Sequence, residues 1–485
     1  MARHQVRIFA VTACCVMTLA VVARAQETIN YASVSGRVTD PQGAVVPGAE
    51  VSARQMDTNV AAETVTDSEG RFRFPYLKIG PYEVKVHLDG FADITRTLTL
   101  TIGSAYNLPL ALSVQGVDTS VTVTGEASAL ETARSQIAGT VAQAEVQSLP
   151  LNGRNFLDLA LLIPGVSPTN VGSTQLFAET SAVPGQGLSI ASQRNLSNSF
   201  IVDGLSANDD AAGLSGIPYG VDAVEQFQVV TSGGQAELGR ALGGYISVVT
   251  KSGTNAMHGT VYDFTRDDNL NGENALSGTR LPMNQQQFGG SLGGPIERDR
   301  SFFFSNVEQR LLDQTGLVTI LPQNPPIINA RLAAVGYPGA PVTTGVYPNP
   351  VHSTNVLGKV DHQISGTDQF SVRYSLYRVT SGNSRGAGAL NAPSASAGLD
   401  NTDHSAAFGN TWTLSQRTVN ETRAQVTYGD LQAPPTDPVG PAVSIAGVAS
   451  FGTLSGSPTR RKNTMYQVID NISHQAGAHA LRAGV

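Results

Sequence analysis

From residue 258 onward, apolar and polar side chains alternate in runs of about ten residues. The clearest run is 369–379, where Phe370, Val372, Tyr374 and Leu376 oppose Ser371, Arg373, Ser375 and Tyr377. Similar runs occupy 258–266, with Tyr262 and Phe264 on one face, then 285–294, 301–310 and 355–364. A period of two places alternate side chains on opposite faces of a strand. The connections also alternate. Those at 297–300, 365–368, 416–417 and 475–479 are short, whereas 311–354, 380–403 and 429–463 are long. A soluble sandwich has no reason to keep that parity. A transmembrane antiparallel β-barrel does, because its turns are short on one side of the bilayer and its loops long on the other. The pattern predicts about nine strands over 256–485, the ninth cut at Val485.

Upstream the rhythm is tighter. Over 33–113, strands recur every 8–12 residues with turn signals between them and no helical period, which suggests a small β-sandwich. Tyr82, Val84, Val86 and Leu88 alternate with Glu83, Lys85, His87 and Asp89. Thr64-Val65-Thr66 and Phe72/Phe74, on either side of Asp67-Ser68-Glu69-Gly70, read as a hairpin. Between sandwich and barrel, 221–255 reads as strand, glycine-rich turn and strand. Val224, Phe227, Val229 and Val230 form one apolar run and 245–249 the other, with a helical turn expected at 235–240. A short helix is expected at 160–166, stopped by Pro164-Gly165. The fold class is therefore mainly β, with a sandwich, an α+β globule and barrel strands in order.

Composition narrows the address. Charged residues are 14% of the chain and the net charge is −7, which offers no basic face to nucleic acid. Residues 1–25 read as a secretory signal: Arg3, His4 and Arg7, an apolar core over 8–22, then Ala23-Arg24-Ala25 before Gln26. Val11-Thr12-Ala13-Cys14 also resembles a lipoprotein box loosely. Cys14 and Cys15, the two cysteines, both fall inside the signal, so no disulfide or Cys-ligated metal is expected. Past Ala25 no apolar run reaches the roughly 18 residues of a membrane helix.

Three stretches carry a family resemblance. SGRVTDPQGAVVPGAEV…TVTDSEGRFRFPYLKIGPYEVKVHLDGF resembles the carboxypeptidase regulatory-like domain, a transthyretin-like sandwich that implies no peptidase activity. SLPLNGRNFLDL, NSFIVDGL and VEQFQVVTS…GGQAELGRALGGYISVVTKSGTN, in that order, resemble the plug domain of TonB-dependent outer-membrane receptors, of the Oar-like kind. The resemblance implies a signal peptide at 1–25, a sandwich at 26–113, a linker at 114–134, a plug at 135–255 and barrel wall from 256. Plugged transporter barrels have about 22 strands, so nine would not close. An open edge leaves backbone groups unpaired in lipid. The expected chain is thus a fragment of a longer receptor.

The resemblance also supplies the partners. Asp118-Thr119-Ser120-Val121-Thr122-Val123-Thr124-Gly125 is similar to a TonB box. It implies that Asp118, Thr119, Val121, Thr122 and Val123 contact TonB, with its inner-membrane energising complex, by adding a strand to a sheet edge. The same residues also read as a linker strand of high β-propensity. Outer-membrane lipid would surround the barrel, with the N-terminal domain in the periplasm. Plug apex and outer loops would contact an extracellular solute of unknown identity, the plug's share being Arg194, Asn195, Asn208, Asp209 and Asp210. The six glycines Gly185, Gly187, Gly204, Gly213, Gly216 and Gly220 suit a plug that moves, and equally suit ordinary turns.

Catalytic chemistry finds little support. Gly289-Gly290-Ser291-Leu292-Gly293 fits G-x-S-x-G, but Gly294-Pro295 follows and no helix pattern appears. Asp267-Asp268-Asn269-Leu270-Asn271-Gly272 opens like a calcium loop, yet its twelfth position is Gly278. No H-E-x-x-H or G-x-x-x-x-G-K-[ST] occurs, so no catalytic residue, metal or cofactor is expected. Energised uptake of a large or scarce solute is the expectation. The alternative is an outer-membrane surface or adhesion protein without transport.

Overall fold

A computed structural model describes residues 30–114, 121–123, 136–151, 153–168, 187–209, 214–234, 237, 239, 241–273, 278–477 and 479–485. The expected signal at 1–25, and Asp118, Thr119 and Asp210, lie outside the described residues.

The sandwich forms as its alternation predicts. Ala32–Thr39 pairs antiparallel with Arg71–Leu77 and parallel with Ala105–Asn107. The second sheet runs Val121–Val123, Ile94–Leu100, Gly80–His87, Glu50–Gln55, Ala61–Val65. Val34, Val51, Phe72, Phe74, Val84, Val86 and Leu100 fill the space between the sheets. One expectation fails here. The turn at Asp67 is made, its carboxylate accepting from Glu69 N and Arg71 N at 2.9 Å each. Its flanking strands, however, go to opposite sheets, because Phe72 and Phe74 pair across to Gly36 and Val34.

The central globule is built on a five-stranded sheet ordered Ile137–Val141, Val224–Ser232, Tyr245–Thr250, Ser199–Val202, Leu205–Ser206. Phe227 faces Val248 and Val229 faces Ile246 in the antiparallel pair. Phe227 is fully buried, edge-on to Phe156 with ring centroids 5.5 Å apart. Burying such a ring stabilises the sheet by about 1.5–3 kcal/mol. The helix expected at 160–166 is instead a 3-10 helix, Phe156–Leu162. It begins earlier because the Asn155 side chain caps it, accepting from Leu157 N at 3.1 Å. Val166 leaves it for the strand Val166–Pro168. At 235–240 the described residues are Glu237 and Gly239, both in turns.

Nine strands then follow one another in a single antiparallel sheet among the described residues: His258–Asp267, Met283–Glu297, Ser301–Val318, Val351–Ser365, Asp368–Arg385, Ala397–Ser415, Thr418–Ala433, Thr459–Ala476 and His479–Gly484. Its end strands are the first and the ninth. The period of two separates the faces cleanly. Arg373, Ser375, Lys359, Asp361, Glu421 and Arg423 point inward and are buried, whereas Val261, Val307, Val372, Phe408, Val426, Tyr466 and Val468 form an exposed apolar band. On that outer face Tyr374, His404 and Tyr428 stand ring beside ring.

The strands are longer than the alternation suggested. The fifth runs on past 379 to Arg385 and the third past 310 to Val318. Past Val379 the fifth strand has no apolar residue, and in the third strand 313–316 carry none, so the alternation that marks a strand fades while its hydrogen bonds continue. The long connections are also structured. Val318, Ile320, Ile328, Val342, Tyr347, Ala392, Ala449 and Phe451 come from three of them and share one small core. It includes the helix Asn324–Ala334, in a stretch expected to be loop.

Candidate functional site

The globule lies against the inward face of the nine-stranded sheet, and charge does much of the joining. Gly153 and Arg154 both adopt positive φ, +84° and +53°, turning the Arg154 side chain toward the wall. Its guanidinium pairs with Asp222 of the globule and with Glu308 of the third strand, the latter at 3.2 Å. It also lies over the Tyr262 and Phe264 rings, 4.2 and 4.8 Å from their centroids. Tyr262 completes the cluster by donating its hydroxyl to Glu308 at 2.7 Å. A planar cation that pairs with two carboxylates and stacks on rings is a task for Arg rather than Lys.

A second cluster surrounds Asp203. Its φ is +48°, in a turn completed by Gly204 at +80°. The carboxylate accepts from Thr250 N at 2.9 Å and Thr250 Oγ1 at 2.8 Å. It pairs with Arg373 and stands 4.0 Å from Lys359 Nζ. Burial opposes its charge, but Lys359, Arg373 and the Thr250 bonds outweigh that and hold its pKa down at about 2. Gly204 is favoured for a further reason. A Cβ there would run into the guanidinium of Arg423, which is buried and paired with Glu421, so that side chain would have to shift. Beside it, Ser206 N donates to Gln467 at 3.0 Å and Gln425 donates to Ser206 O at 2.7 Å.

The residues expected to meet solute are dispersed. Arg194 is exposed and opens the 3-10 turn Asn195–Ser197. Asn208 accepts from Phe200 N at 2.7 Å, and Asp209 forms a two-pronged pair with Arg461 of the eighth strand. Val121, Thr122 and Val123 form a short strand in parallel register with Ile94, Thr95 and Arg96. Arg154, Asp203, Lys359 and Arg373 were not singled out from sequence as site residues. In a chain with 14% charged residues, a charge at an inward-facing strand position was the available signal.

Comparison with known proteins agrees with this architecture. The model of the outer membrane beta barrel domain matches residues 249–327 and 324–485, and that of the carboxypeptidase regulatory-like domain matches 33–113. The TonB-dependent transporter Oar of Myxococcus xanthus is 27% identical over 292 residues, 56% of this chain and 26% of that transporter. The chain is an Oar homologue. As such it is a protein of the outer membrane, and its curated relative is a transporter rather than an enzyme. The match spans about a quarter of that relative's length. Among solved structures, the homologue is similar to the outer membrane transporter YddB from Escherichia coli, with a TM-score of 0.47 and 14% identity over 70% of this chain and 45% of that one. The siderophore receptor PirA from Acinetobacter baumannii gives 0.47 and 16%, again over 70% and 45%.

Proposed function

We propose that the Oar homologue serves TonB-energised uptake of a large or scarce solute across the outer membrane, with the central globule as its plug. The observation that carries this reading is the chemistry of the plug's seat. Arg154, Asp203 and Asp209 hold it to the wall through ion pairs and hydrogen bonds, beside a smaller apolar contact in which Phe304 and Leu357 of the wall join the plug's core. Water can replace the polar contacts one by one as a plug is drawn away, so that only the small apolar contact resists. The sandwich would lie in the periplasm, and TonB would engage residues 118–123. Arg194, Asn195, Asn208, Asp209 and Asp210 are the proposed plug contribution to solute contact, together with the outer loops.

Energy coupling is tested at Val121. TonB addition by backbone pairing needs the amide hydrogens of 121–123, and proline removes one while blocking the ladder. The Val121→Pro receptor should bind a purified TonB C-terminal domain at least about tenfold more weakly than the parent. Equal binding would refute the TonB-box assignment.

A further inference from the structure

The sandwich does not hang free below the barrel. Lys78 Nζ lies 2.8 Å from Asp361 Oδ1 of the fourth strand, and that carboxylate is buried. Tyr31 meets Thr411 of the sixth strand at 3.0 Å, Tyr76 meets Ser473 of the eighth at 2.8 Å, and Asn59 donates to Asp299 at 2.9 Å. Asp299 is in the short turn between the second and third strands, and the other three wall residues lie toward the short-turn ends of their strands. The same domain touches the plug, where Gln226 accepts from Ile102 N at 3.0 Å and Gln228 donates to Ile102 O at 2.9 Å. Sandwich, plug and wall together line a partly open cavity of about 800 Å³, with Lys78 and Tyr76 from the first, Asp203 and Lys251 from the second, and Lys359 and Arg373 from the third.

We infer that the sandwich is a second gate, in series with the plug, docked on the short-turn rim and closing this chamber from the periplasmic side. Two features suit a part that undocks. Its own core is complete without any wall residue, so it keeps its fold when it leaves. Among the described residues its seat is polar, made of one ion pair and several hydrogen bonds, which resembles an interface between mobile domains. Movement of the plug alone would open the barrel into a chamber that the sandwich still covers in part. The strand Val121–Val123 is paired to the edge strand of this same sandwich. Tension applied there would load the sandwich sheet before it reached the plug. What the gate controls rests on the transport reading, but the docking itself does not.

The test needs neither solute nor TonB. In the full-length receptor, with Cys14 and Cys15 replaced by Ala, Ser371→Cys places a thiol on the chamber wall. Isolated outer membranes are treated with a 5-kDa-class polyethylene-glycol maleimide, too large to pass a docked sandwich, and the labelling rate is read on gels. Lys78→Glu sets two carboxylates against each other and should speed labelling at least about tenfold. The charge swap Lys78→Glu/Asp361→Lys should restore the slow rate, which a merely misfolded sandwich would not do. Two results would overturn the gate: parent labelling as fast as a Gln416→Cys control in an exposed short turn outside the chamber, or a Lys78→Glu rate equal to the parent's. If the swap behaves as expected while Val121→Pro leaves TonB binding intact, the gate stands and the TonB-box assignment falls.

Discussion

Replacing Asp203 by Asn keeps the shape of the side chain and removes its charge. The loss falls on Arg373 and Lys359, whose side chains are 4% and 8% exposed and so have little water to turn to. Breaking a buried ion pair by removing one partner costs about 3–5 kcal/mol. Asp203 itself is 21% exposed, so some water is already present and about 2–3 kcal/mol is the better expectation. That cost weakens the seating of the plug against the wall and leaves the barrel's own ladder untouched. Plug release can be followed across a urea series by trypsin cleavage within the plug, while a heat-modifiable band reports an intact barrel. With a slope of about 1–3 kcal/mol per molar urea, the release midpoint should fall by roughly 0.7–3 M. Arg373→Gln and the double variant complete a cycle, in which the pair should show a coupling of at least about 1 kcal/mol. A midpoint within about 0.2 M of the parent's would show that this pair does not hold the plug.

Three further outcomes are expected. Gly204→Ala combines a positive φ with a Cβ driven into the Arg423 guanidinium, and should lower the same release midpoint by the equivalent of about 1–3 kcal/mol; an unchanged midpoint would mean the turn relaxes freely. Because the Asp203 pKa is lowered, its contribution is complete above the ordinary carboxylate range and is lost as pH falls through about 2. The gap between parent and Asp203→Asn midpoints should therefore hold from pH 7 to about 4 and narrow only below that; narrowing near pH 6 would contradict the assignment. Trp412 is the single tryptophan of the chain, half-exposed on the outer face and paired in register with Asp368 beside a short turn. Its fluorescence should be quenched by brominated lipid and spared by aqueous iodide; the reverse would place that face in water.

Where sequence was legible, the reason was a face shared with one solvent. Tyr82, Val84 and Val86 face the sandwich core, and Val372 and Tyr374 face the apolar surroundings of the barrel, so each marks its strand at every second residue. Between 380 and 385 no apolar residue remains, and between 311 and 318 the buried Leu312 and Val318 are separated by 313–316, which carry none, so both stretches were read as loops. The core formed by Val318, Val342, Ala392 and Phe451 was invisible for a different reason: its members are isolated apolar residues in polar stretches, assembled over more than a hundred positions. The seat of the sandwich was less accessible still, since Tyr31 and Thr411 are polar residues separated by 380 positions and no local pattern connects them. Asp203 and Arg154 lay inside stretches expected to be plug, but their partners Arg373 and Glu308 could be assigned only once strand register was known.

If the long connections face the cell exterior, as the transport reading proposes, their shared core has a practical side for anyone who decorates that surface. Asn329 and Val342 bind each other reciprocally, at 2.9 and 2.8 Å, Thr319 N donates to Ala389 O at 2.7 Å, and Ser450 N donates to Leu390 O at 2.7 Å. Three segments far apart in the chain are thereby knitted into one body. An epitope tag or displayed peptide spliced into any one of them would unsettle the other two, and antibodies raised to the folded exterior would recognise surfaces composed of several segments. The connection after Asp267 contributes none of its described residues to that core. It is the place to graft a foreign sequence and leave the rest of the exterior as it was.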